Sequence, residues 1–252
     1  MKKFISNNYV LKILGIILLV IIWQVLSIYV GQETFILPGP VLTIKELIKM
    51  FAGTYIYKCI YQTFIRMILG FLISFILAFI FGIFAGNNEK IEKILEPSMS
   101  TLKAIPTACL VYLFLVLVGS RITPLVIVIL VSFPILYESV VGGIKATPAT
   151  LIKAAKIDGA SIIKINAKIR IPFAFPYIIV GISSSFALAL KIEIMAEVIT
   201  GYTRLGLGSA ILAASRSDPT NMIPVFAYGL VTIILVLMCD FVSSICKSKF
   251  FK

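Results

Sequence analysis

Histidine is absent from the sequence, and acidic residues number only 11 against 23 lysines and arginines. Without histidine the chain lacks the commonest general base and the commonest metal ligand. A histidine-based hydrolase or a membrane-embedded metalloprotease is therefore disfavoured, and no metal site is expected. Charged residues make up 13 % of the chain, about half of the ~25 % that a soluble domain carries. The four cysteines, Cys59, Cys109, Cys239 and Cys246, form no CxxC pair. They read as small buried hydrophobes rather than a disulfide framework. No G-x-x-x-x-G-K-[ST] phosphate loop is present, so the chain does not bind ATP in that way. The net charge of +12 would raise nucleic acid as a partner of a soluble protein, but nothing resembles a nucleic-acid module.

What the chain has is long apolar runs. Apolar residues make up 60 % of the chain and the mean hydropathy is +1.08. The expected fold class is an all-α polytopic membrane protein of about six transmembrane helices. The spans fall at 10–30, 65–85, 105–118 (with extra turns from Pro97), 125–141, 175–199 and 223–245. The basic start imitates a signal peptide, but its apolar run exceeds the 7–15 residues of a signal h-region and no small-x-small cleavage site follows. A cleaved signal is the minor alternative. Pro106 predicts a kink or break in the third span. "PGP" at 38–40 stops any helix, and residues 41–51 read as a short amphipathic interfacial helix with Leu42, Leu47, Ile48 and Phe51 on one side.

Lysine and arginine divide about two to one between alternate connections, which the positive-inside rule reads as both termini cytoplasmic. The chain is then one membrane domain over 1–252: an N-terminal span and outer loop over 1–36, a core over 37–252, and a cytoplasmic segment at 147–172 between spans four and five. Six basic residues lie in that segment or on its flank: Lys145, Lys153, Lys156, Lys164, Lys168 and Arg170. Thr147 is the expected N-cap of a first short helix, with Pro148 at its first position. Asp158-Gly159 ends that helix, Ser161 caps a second over 162–169, and Ile171-Pro172 closes the second. An ordinary amphipathic loop that binds lipid headgroups is the competing reading.

The spacing "AAKIDGASIIKINAKIRIP" resembles the EAA loop of ABC-importer permeases, whose pattern is E-A-A, three residues, Gly, nine residues, I-x-L-P. Ala154, Ala155, Gly159, Ile169 and Pro172 occupy the matching positions; Lys153 stands where the family has Glu, and Ile171 where it has Leu. "FILPGP", "TFIRMILGF", "LKAIP" and "AEVITGYTRLGLGSAI" are similar to the permease subfamily for nitrate, sulfonate, taurine and related small solutes. The resemblance implies a permease that docks a separate ATP-binding-cassette ATPase dimer through Ala154, Ala155, Asp158, Gly159, Ala160, Ile169 and Pro172. ATP and Mg2+ then belong to the ATPase, with no cofactor on this chain. It also implies an extracytoplasmic solute-binding protein, whose docking region would include "GLGSAILAASR", and a permease homodimer in the cell membrane. A stand-alone secondary transporter is the alternative, although no inverted halves are evident.

Charges within spans usually face a cavity or a partner. Lys191, Glu193 and Glu197 lie in span five, and the two glutamates, four apart, share a helix face. Compensation could come from water, a changed charge state, Arg66, Lys191 or a cationic group on the solute. With Pro106 they are the candidates for the translocation path, as gate or as solute contact. The competing reading pairs Glu197 with a loop residue such as Arg204 at the outer interface. Glu138 reads as a structural or docking residue.

Overall fold

The computed structural model describes residues 8–30, 36–201 and 205–250, and among these no strand occurs. The helices are α1 (Asn8–Val30), α2 (Pro40–Ala52), α3 (Tyr55–Asn87), α4 (Glu89–Ala104), α5 (Thr107–Val118), α6 (Thr123–Lys145), α7 (Ala149–Ile157), α8 (Ile162–Ile165), α9 (Ile171–Thr200), α10 (Leu207–Ser217) and α11 (Ile223–Phe250). Five helical segments are long and apolar enough to cross a membrane, and a sixth crossing results if α4 and α5 count as one broken span. The apolar surface confirms the class. Leu72, Ile76, Phe84, Val116, Leu237 and Phe241 are exposed, the inverse of a soluble fold and the pattern a lipid solvent permits.

Helix α6 is the centre of the bundle and packs chiefly against α3 and α9. Small residues set the close approach. A Cβ on Gly82 of α3 would lie 2.7 Å from Val140, and one on Gly181 of α9 would lie 2.2 Å from Ser139 Oγ. These contacts fix direction: α3 and α6 run parallel, and α9 runs antiparallel to both. One end of the bundle therefore gathers Arg66 and Glu197, and the other gathers Asn87, Lys145 and Arg170. At the second end Lys145 Nζ pairs with Glu92 at 2.7 Å, and Lys103 pairs with Glu138. Glu138, read as a structural or docking residue, is exposed and has Lys103 as its ion-pair partner. Helix α1 is peripheral: only 6 % of its apolar window is buried, against 50 % for the segment containing α9. It is tied down near the Glu197 end. Trp23 Nε1 donates to the Pro38 carbonyl at 3.0 Å and Ser27 Oγ to that of Leu37 at 2.8 Å, so residues 36–40 are pinned against α1.

Several local expectations shift. The third span is no straight crossing. Ile105 and Pro106 are extended, because proline forces its predecessor out of the helical region, and α4 meets α5 at 99°. Helix α5, with 12 residues, is about 18 Å long, short of the ~30 Å hydrocarbon core. Residue 148, not Thr147, is the cap position of α7, and no side-chain cap bond forms. Thr147 is buried instead, its Oγ1 without a partner among the described residues. Helix α8 passes through a π turn at Asn166–Arg170 directly into α9. Ile171-Pro172 therefore closes no helix: the Ile171 N–H bonds the Asn166 carbonyl five residues back. Pro172 sits in the first turn of α9, directly after the π turn. In α2 the residues against the bundle are Thr43, Glu46, Leu47 and Met50, while Ile48 is exposed. Cys109 is exposed as well, unlike Cys59 and Cys239; the side chain of Cys246 is outside the described set.

Candidate functional site

Two features stand out, one at each end of α9. At the first, Glu193 and Glu197 project from α9 toward α3, and both side chains are fully buried. Their shared face, expected from the four-residue spacing, is directed at Arg66. Arg66 Nε donates to Glu193 Oε1 at 3.3 Å and Nη2 donates to Glu197 Oε1. Nη2 also reaches the Leu205 carbonyl at 2.9 Å. Thr63, one turn before Arg66 on the same face of α3, donates its hydroxyl proton to the Glu197 carboxylate, whose oxygens lie 2.9 and 3.0 Å away. The Thr63 oxygen in turn accepts the Leu207 N–H at 2.9 Å, and Glu197 Oε2 accepts the Gly208 N–H at 2.9 Å.

Helix α10 has no side-chain cap of its own. Its first orphan N–H groups are met from two other helices, by Thr63 on α3 and Glu197 on α9. The anionic carboxylate also complements the positive end of the helix dipole. This approach needs glycine. A Cβ on Gly206 would sit 2.6 Å from both Arg66 Nη2 and Glu197 Oε2, and one on Gly208 would sit 2.3 Å from the Ile194 carbonyl. The cluster holds one guanidinium against two carboxylates. Glu193 Oε2 has no partner among the described residues.

Arg66 is the compensating charge. Lys191, two residues from Glu193, points the other way and is exposed. It falls on an exposed stripe of α9 with Phe173, Tyr177, Val180 and Ser184. Pro106 lies at the α4–α5 bend, apart from this cluster. The competing pairing of Glu197 with Arg204 lies outside the described residues. Thr63, Gly206 and Gly208 were missed as site residues, although "TFIRMILG" signals them in part: Thr63, Arg66 and Gly70 recur at helical spacing.

At the other end, α7, the turn and α8 form an exposed platform. Asp158 ends α7 and Gly159 adopts φ +73°. The Ala160 N–H reaches the Ala155 carbonyl at 2.9 Å and the Gly159 N–H reaches that of Lys156 at 3.1 Å, the two bonds of a Schellman turn. Ser161 Oγ accepts the Lys164 N–H, as expected. Ala154, Asp158 and Gly159 are exposed, Ala155, Ala160 and Ile169 are half-buried, and Pro172 is exposed where the platform joins α9. Ile165 is the buried anchor.

A helical membrane bundle with a capped, exposed helix–turn–helix platform is the architecture of a transporter's membrane subunit. The chain belongs to the family described as binding-protein-dependent transport system inner membrane component, which matches residues 78–251. It is 30 % identical over 225 residues to a putative ABC transporter permease protein of Methanocaldococcus jannaschii, covering 86 % of this chain and 83 % of that one. It is 27 % identical to the putative aliphatic sulfonates transport permease protein SsuC of Bacillus subtilis (81 % and 74 % covered). It is 26 % identical to the glycine betaine/proline betaine permease ProW of Escherichia coli, covering 62 % of this chain and 44 % of that one. The fold is similar to that of the methionine ABC transporter MetNI in an inward-facing conformation (TM-score 0.61, 16 % identity, 77 % of this chain and 94 % of that chain). It is also similar to an amino acid ABC transporter solved with histidines (TM-score 0.65, 15 % identity, 80 % and 96 %). The protein is therefore a multi-pass ABC permease and not itself an enzyme; ATP hydrolysis belongs to a separate subunit.

Proposed function

We propose that this permease imports a small solute by linking the platform to the buried Arg66–Glu193–Glu197 cluster through α9. The observation that carries this reading is continuity. Residues from Ile162 to Thr200 form one 39-residue helical segment, so platform and cluster sit on one rod, on the order of 50 Å apart at 1.5 Å per residue. Ala154, Ala155, Asp158, Gly159, Ala160, Ile169 and Pro172 form the seat for the ATPase, which binds ATP and Mg2+. A shift of the platform moves the far end of α9, and with it the capped start of α10. The cluster acts as a latch of the outer gate. Because both carboxylates are inaccessible in this conformation, they hold helices rather than touch solute.

The rest of the assembly follows from chemistry. The platform and both termini face the cytoplasm, and α10 faces the solute-binding protein. Lys191 is exposed on a membrane span, so it faces water or protein rather than lipid. With Pro106 at the α5 bend it lines the path between two identical copies, since a symmetric ATPase pair requires two platforms. The relatives differ in solute: ProW is named for glycine betaine and proline betaine, SsuC for aliphatic sulfonates. The test is ATP turnover by the reconstituted complex as solutes are supplied with the binding protein. The expected result is stimulation by a small solute, and no stimulation by any solute would overturn the import mechanism.

A further inference from the structure

The platform's outward face carries unbalanced positive charge. Lys153, Lys156, Lys164 and Lys168 are all exposed, and none takes part in an ion pair among the described residues. Asp158 is the one acid between residues 147 and 172, so these exposed groups sum to 4 − 1 = +3. Arg170 does not add to the face, because it is half-buried and donates to Asn87. Lys153 and Lys156 are three apart on α7, a spacing at which like charges repel. Among the described residues no acid pairs with them, so they are free to meet an anionic surface.

Two anionic surfaces are available in principle: lipid headgroups and a protein. The pattern favours protein. An interfacial membrane helix segregates its apolar face from its lysines. On α7 the half-buried residues are Ile152 and Ala155, while Ile157, 86 % exposed, lies one turn after Lys153 on the outer side. In α8 the exposed Ile162 and Ile163 directly precede Lys164 in the same way. Lysines interleaved with protruding isoleucines around a turn of Ala154, Gly159 and Ala160 fit a groove that is apolar at its floor and anionic at its rim. A Cβ on Gly159 would meet nothing within 4 Å, so the turn is open to close approach.

We infer that the ATPase groove receiving this platform is acidic, with carboxylates opposite Lys153 and Lys156. This rests on the assignment of residues 147–172 as the ATPase seat. The test uses the full-length chain in nanodiscs and the ATPase that co-purifies with it, with association measured at about 0.05 M and 0.5 M salt. Association is expected to weaken at least about tenfold at the higher salt, as screening shortens the reach of the charges. Lys153→Glu with Lys156→Glu should lose as much at low salt. Lys153→Gln with Lys156→Gln should lose most of the salt dependence, and reversing groove carboxylates to lysine should restore binding to the Glu variant. If Ile157→Asp abolishes association while both lysine double variants bind normally, the seat stands and the acidic groove is wrong. If none of these variants changes association, the seat itself is wrong. If the lysine variants bind the ATPase normally but the wild-type platform is protected by phosphatidylglycerol and not by phosphatidylcholine nanodiscs, the lysines serve lipid and the inference fails.

Discussion

Glu197 on α9 accepts the backbone N–H of Gly208 at 2.9 Å, so a side chain inside one membrane helix caps the start of another. Thr63 on α3 adds the adjacent cap through Leu207, and Arg66 neutralises the carboxylate from the same helix. Three helices thus converge on one buried acid. The α10 N-terminus therefore loses several partners at once if α9 moves.

Removing the guanidinium tests the joint most directly. Arg66→Leu leaves two carboxylates buried without a cation, which is expected to cost about 3–5 kcal/mol. Thermal unfolding of the detergent-solubilised chain should show it. Arg66→Lys is expected to restore the loss only in part, because a point ammonium cannot serve Glu193, Glu197 and the Leu205 carbonyl together. An unchanged melting temperature for Arg66→Leu would mean that the cluster does not hold the bundle.

Bulk at the helix start should separate gate from coupling. Gly208→Val places a side chain against the Ile194 carbonyl and displaces α10 from Glu197. The expected outcome is lost solute stimulation with ATPase association retained. Full stimulation in this variant would remove α10 from the gate.

Gly159 tests the platform through backbone geometry. At φ +73° a non-glycine residue costs roughly 1–2 kcal/mol, while the surroundings leave room for a side chain. Gly159→Ala should weaken ATPase association moderately. Gly159→Asp adds a charge and bulk on the docking face and should abolish association while the spans still insert. A Gly159→Asp complex with normal turnover would refute the seat.

Lys191 should behave oppositely to Arg66. It is exposed and outside the cluster, so Lys191→Gln is expected to change stability by no more than about 0.5 kcal/mol. Transport rate or solute preference should change. A variant with lost stability and normal transport would place Lys191 in packing rather than on the path.

Much of the fold was legible because its signals are local. A twenty-residue apolar run declares a span, a proline breaks a helix, and Asp158-Gly159 with Ser161 sets a turn whatever the rest of the chain does. The cluster was half legible. The four-residue spacing put Glu193 and Glu197 on one face, and Arg66 stood among several possible partners. The two-residue spacing already turned Lys191 away from Glu193, but nothing local chose Arg66 among the remaining partners. The closing of the second platform helix at Ile171-Pro172 was misjudged for a related reason: a π turn carries the helix on into Ile171-Pro172 with hydrogen bonds that reach back five residues.

The sequence by itself determined the solvent, the apolar segments and the Asp158-Gly159 turn of the platform with its Ser161 cap, since each depends on residues within a turn or two. Only the tertiary structure decided which of two intramembrane cations meets Glu197, at what angle the chain turns at Pro106, and that α10 is capped by other helices. Arg66 and Glu197 are 131 residues apart. Their meeting is set by how closely small residues let α3, α6 and α9 pack, and that closeness is a property of three helices together.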